Sequence, residues 1–78
     1  MSTITKELDI RPVHPREKHS TIFAAFDSLN SNETFQLIND HDPMPLYYQF
    51  QVERNGKFIW EYIEEGPEVW KVNITKVA

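Results

Sequence analysis

The sequence predicts a two-layer α+β sandwich, with two helices on one face of a four-stranded mixed sheet. Three observations carry this expectation. Four segments alternate apolar and polar residues with the period of a strand, and two segments between them read as helices that start at prolines. The resulting order, β-α-β-α-β-β, is that of an α+β sandwich. A chain of 78 residues has room for one core only, so residues 1–78 are a single domain.

Each element has its own signal. "ELDIR" sets Leu8 and Ile10 on one side of a short strand and Asp9 and Arg11 on the other, and Pro12 stops it. "HPREKHSTIFAAFDSLN" follows as a helix. Pro15 suits a first turn, where its missing N–H costs nothing, and Glu17 sits where the helix dipole favours an acid. Ile22, Phe23, Phe26 and Leu29 form its apolar stripe, and "NSN" ends it. "ETFQLIN" sets Phe35 and Leu37 against Thr34 and Gln36 as a second strand.

The segment after Pro45 fits either a strand (Tyr48, Phe50, Val52) or one helical face (Leu46, Tyr47, Phe50). Asp42 before Pro43 and the later "RNG" favour the helix, with Asp42 as its N-cap. "KFIWEYIEE" and "EVWKVNITK" are the clearest strands, joined by "EGPE". Ile22, Phe26, Leu37, Trp60 and Val72 are the expected shared core.

Composition excludes several functions. The absence of cysteine removes disulfides, thiolate zinc sites, iron–sulfur clusters and cysteine nucleophiles. "MSTITKELDIRP" has no signal-peptide run and nothing later spans a bilayer, so the expectation is a soluble cytoplasmic protein without a membrane partner. Twelve acidic and eight basic side chains give a formal charge of −4, which disfavours nucleic acid. The basic residues Arg11, Arg16 and Lys18 fall together beside His14 and His19. The acids gather in "EYIEEGPE", which reads as a solvated hairpin end or, less simply, as a docking surface for a basic partner.

The chemistry-bearing stretch is "NDHDPMPL", residues 39–46. A right-handed crossover between parallel first and second strands brings the loop "RPVHP" and the loop "NDHDPMP" to one sheet edge. Helix N-termini with unpaired N–H groups point there. Arg11, His14, His19, Asn39, Asp40 and His41 are therefore the candidate ligand-binding residues. His14, His19, His41 and Asp40 also offer the nitrogen and oxygen ligands that zinc or iron accepts. Their spacing matches no established metal motif, and two helix N-termini with Arg11, Arg16 and Lys18 favour an anion or an acidic partner over a cation. Some of these have a plainer reading, while Asp40 and His41 have none as good. His14 serves as a capping-region residue, His19 as a histidine hydrogen-bonded to backbone, and Asp42 as a cap worth about 1 kcal/mol. No serine, phosphate loop or carboxylate pair forms a catalytic constellation.

"LDIRPVHPREKHSTIFAAFDSL", "NDHDPMPLYYQF" and "FIWEYIEEGPEVWKV" resemble, in order and over residues 7–75, the domain-of-unknown-function family 2249. The resemblance implies a fold like that of the TusA/SirA sulfur carriers. It also implies association with hemerythrin-like domains, and so with redox or nitrogen-oxide physiology. Those carriers place a cysteine-proline pair at the first helix start. His14-Pro15 stands here instead, and an imidazole carries no sulfane sulfur. The expected function is a small non-catalytic binding or accessory module, with redox or sulfur/nitrogen-metabolism partners such as hemerythrin-like proteins. The alternative is a metal-binding protein or metal-dependent enzyme that uses the histidines and Asp40.

Overall fold

A computed structural model describes residues 4–77, apart from the side chain of Thr5. The chain runs β1 (Ile4–Asp9), α1 (Pro15–Asp27), β2 (Thr34–Asn39), α2 (Met44–Glu53), β3 (Phe58–Glu65) and β4 (Trp70–Lys76). The four strands form one mixed sheet in the order β1-β2-β4-β3. β1 and β2 are parallel, while β4 runs antiparallel to both β2 and β3. This is the expected α+β sandwich.

The alternation of the strands decides which face is covered. Phe35, Leu37, Val72 and Ile74 lie on the helix side and are fully buried. Ile22, Phe23 and Phe26 of α1 and Leu46 and Phe50 of α2 pack into the same cluster. Phe50 is its centre: its ring stacks on Phe23 at 4.4 Å between centroids and meets Phe26 and Phe58 at 5.2 Å. Aromatic pairs add to the energy of burial at such distances. The opposite face has no helix. Its middle is polar, with Thr34 bonded to Thr75 at 2.6 Å and Gln36 to Asn73 at 3.1 Å.

The helices lie side by side because each follows one of two parallel strands. Arg54 clamps their C-terminal ends, donating from Nε and Nη2 to the two carboxylate oxygens of Asp27 at 3.0 and 2.8 Å. The Arg54 guanidinium also rests 5.0 Å from the Phe23 ring centroid. The opposite ends of the helices, their N-termini, are left to the loops.

Four boundaries or placements differ from the sequence expectation. The first strand spans Ile4–Asp9 rather than residues 7–11, although the Ile10 N–H still donates to Ile38 O at 3.1 Å. Helix α1 ends at Asp27, with Ser28 as its C-cap, before the "NSN" stretch. The cap position of α2 falls on Pro43 and not on Asp42. Trp60 is partly buried against the core rather than within it, because β3 is an edge strand. Ile22, Phe26, Leu37 and Val72 are buried as expected.

The β3–β4 turn has a steric requirement of its own. Gly66 adopts φ +70°, and a Cβ there would lie 2.8 Å from the Trp70 indole. Gly66→Ala is therefore expected to destabilise the domain by about 1–3 kcal/mol in thermal unfolding. Phe50→Ala is expected to cost about 3–5 kcal/mol in urea denaturation, comparable with the whole stability of a small domain. Trp60→Ala should cost less than Phe50→Ala. The reverse ranking would place the core centre on β3.

Candidate functional site at the helix-start edge

Register brings the two loops together. Leu8 pairs with Leu37 and Asp9 with Ile38, so β1 and β2 end side by side. The loop from Ile10 to His14 and the loop from Asp40 to Pro43 leave at that edge. Because β3 runs in the same direction as β2, the edge continues to its end: Asn39 pairs with Trp70, and Trp70 with Glu65. The edge is thus graded in charge. Arg11 follows the end of β1 and Lys18 of α1 lies near Asp40 at the end of β2, while Glu64, Glu65 and Glu68 stand at the end of β3 and in the turn after it. The acidic turn, exposed as expected, belongs to the same edge as the basic residues rather than to a separate region.

Around the first loop, Arg11 forks onto Asp9. Its Nε and Nη2 donate to the two Asp9 oxygens at 2.9 and 2.7 Å, and its backbone N–H adds a third bond at 3.0 Å. These bonds hold the Asp9 carboxyl down at about 2, and the Asp9 carboxylate in turn raises Arg11. Asp40 also raises Arg11, through charge alone. His14 caps α1: its Nδ1 accepts the Arg16 N–H at 3.1 Å. An imidazole in place of the usual Ser, Thr, Asp or Asn thus satisfies one of the unpaired donors at the helix start.

In the second loop, the buried Asn39 turns the chain, its Oδ1 accepting the Asp40 N–H at 2.9 Å. His41 and Asp40 are exposed and joined at 2.7 Å through His41 Nδ1. The Asp40 carboxyl is lowered, first by that bond and then by the charge of Lys18 on α1. Asp42 Oδ1 accepts the Met44 N–H at 3.1 Å and the Tyr62 hydroxyl at 2.8 Å. It therefore does a cap's electrostatic work from one residue outside the cap position. Burial first, and then Asp42, push the Tyr62 hydroxyl up to about 12; the neighbouring Trp60 opposes the rise. The Trp60 Nε1–H nonetheless forms no hydrogen bond, although it is buried.

Of the sequence-predicted residues, Asp40 bonds His41, acts through charge on Arg11 and has its N–H held by Asn39. His14 lies at the same helix start but bonds only to its own helix. His19 is directed to α2, where its Nδ1 meets Gln49 Oε1; that partner is a side chain and not backbone. Among the described residues, no three His, Asp or Glu side chains gather to hold a metal ion. The set His14, His19, His41 and Asp40 is thus divided between two places. Asp9 pairs with Arg11, Lys18 acts on Asp40 through charge, and Tyr62 donates to Asp42; none of these three was a sequence-derived candidate. The i, i+2 spacing of Asp9 and Arg11 was the available signal for Asp9.

The chain matches, over residues 7–76, the family described as "Uncharacterized conserved protein (DUF2249)". It belongs to this family. No curated protein and no solved structure matches it. The matched region spans the chain from Asp9 to Tyr62.

Two measurements check this geometry. Arg11→Ala should return the Asp9 carboxyl from about 2 towards its ordinary 3.8 in an NMR titration of side-chain carboxyls. The sign follows from linkage: a depressed carboxyl stabilises the fold above its unfolded value, and that contribution is lost as pH falls towards 2. Tyr62→Phe should lower stability by about 1 kcal/mol, the usual net worth of such a bond, and leave the fold intact.

Proposed function

We propose that this domain is a small non-catalytic binding module that docks a protein partner through its helix-start edge. One observation carries the reading. Arg11, Lys18, Asp40 and His41 come from three separate segments, yet Asp40 is joined to His41 at 2.7 Å, lies in the field of Lys18 and acts through charge on Arg11. Lys18 is mounted on α1, and Arg11, Asp40 and His41 stand in short loops within two residues of a strand end, so the fold limits their spacing. Charges of both signs on a rigid rim suit recognition of a protein surface, where complementary potentials set orientation and specificity.

Other features favour this reading over catalysis. Among the described residues, the bonds to the histidine ring nitrogens come from a backbone N–H, an amide and a carboxylate, and none from a hydroxyl. A nucleophile with its base is missing from that set. The metal-protein alternative needs His14 and His19 to leave their present partners and join His41.

The resemblance supplies the class of partner: a hemerythrin-like or other redox protein, met in the cytoplasm. A TusA-like ancestry fits the element order, with the sulfur-carrying cysteine replaced by the capping His14.

The test uses a short glutamate-rich peptide as probe, followed by NMR. Signals of Arg11, Lys18 and His41 should move together and return as salt is added. Lys18→Glu should weaken the interaction roughly tenfold or more, as charge reversal at a docking surface does. Zinc added alone should leave His14 and His19 unmoved. Independent responses of the two loops, or a joint response of all three histidines to zinc, would replace this reading with the metal one.

A further inference from the structure

A second surface runs along the outer side of β3 and meets that edge only at its end, at Glu64 and Glu65. Natural sheets protect a terminal strand with lysine, proline, bulges or a short length. The other terminal strand, β1, has Lys6 and an irregularity beside it, between Ile4 and Lys6. β3 is less protected. It is eight residues long, contains no lysine or proline, and pairs regularly with β4 from Phe58 to Tyr62 before one irregularity at Ile63. Its other side has no strand neighbour among the described residues.

The side chains of β3 are as available as its backbone. Ile59 is 55% exposed and Ile63 49% exposed, on the sheet face that has no helix. On the helix side, Phe58, Trp60 and Tyr62 are only partly buried. An added strand would thus find apolar neighbours on both of its faces, and cross-strand pairs are the unit of sheet stabilisation. The charge of this strand is of one sign. Glu61, Glu64 and Glu65 are exposed, and of these only Glu64 has a cationic neighbour, Lys71 at 4.0 Å.

That charge selects the occupant. A second copy of the chain pairing here would collect the glutamates of both strands on one ribbon, which like-charge repulsion disfavours. An extended basic strand has no such cost. We infer that the free edge of β3 accepts an extended segment of a partner protein in which basic residues alternate with apolar ones. Main-chain hydrogen bonds would give the affinity, and the glutamates with Ile59 and Ile63 the selectivity.

The experiment uses the full chain and a short synthetic peptide alternating lysine with valine. The peptide should bind, should slow hydrogen exchange at amides of β3, and should weaken as salt is added. A matched peptide alternating glutamate with valine should not bind. Glu61→Lys combined with Glu65→Lys, which spares the Glu64–Lys71 neighbours, should weaken binding roughly tenfold. Circular dichroism would confirm that this variant is folded, and the salt dependence of the unaltered chain tests the charge argument without it. Failure of the lysine peptide to bind, binding without protection of β3, equal binding of the glutamate peptide, or dimerisation of the chain through β3 would each overturn the inference. Exchange protection along β3 from Phe58 to Tyr62 separates binding here from binding at the helix-start edge, which β3 reaches only at its end.

Discussion

The parallel pairing of β1 with β2 is the constraint on which the rest depends. Among the described residues it is the only parallel pair in the sheet, and the meeting of the two loops near the helix starts follows from it. Parallel neighbours require a crossover, and the crossover places α1 on the sheet face and returns the chain to the same starting side. α2 then leaves β2 at the edge where α1 left β1. Had the two strands paired antiparallel, Arg11 and Asp40 would lie at opposite ends of the sheet. The Arg54–Asp27 clamp and the Phe50 cluster secure this arrangement from the other end and from within.

The same pairing leaves two helix N-termini at one edge, and the chain satisfies them with unusual residues. His14 and Asp42 each accept one N–H, from Arg16 and Met44. Asp42 does more, since it also anchors Tyr62 of the distant β3. Side chains that cap helices are thereby committed to structure, and the proposed function assigns recognition to those beside them, Arg11, Lys18, Asp40 and His41. The division of labour between adjacent residues in "DHDP" answers why the stretch holds so many polar groups.

Elements with strong local periodicity were legible in the sequence: the two helices, the four strands and most of the core. What depends on partners far along the chain was not. The Arg54–Asp27 clamp spans 27 positions and the Tyr62–Asp42 bond 20, and no local pattern announces either. Trp60 was placed in the core because its alternation is sound; its partial exposure follows from strand order, which periodicity does not determine. The parallel pairing of β1 with β2, which brings the loops of Arg11 and Asp40 to one edge, was legible in the element order. The contact of His19 with Gln49 on α2 was not, because it spans 30 positions.

The central claim is that the fold couples the two loops into one charged surface. The most direct measurement is the titration of the Asp40 carboxyl in the unaltered chain and in Lys18→Ala. Lys18 lies on α1, 22 residues before Asp40, so any influence passes through space rather than along the chain. A rise of the Asp40 value when Lys18 is removed is the predicted result, because that cation helps to hold the carboxyl down. An unchanged Asp40 would mean that the two loops do not act as one surface, and would contradict the account.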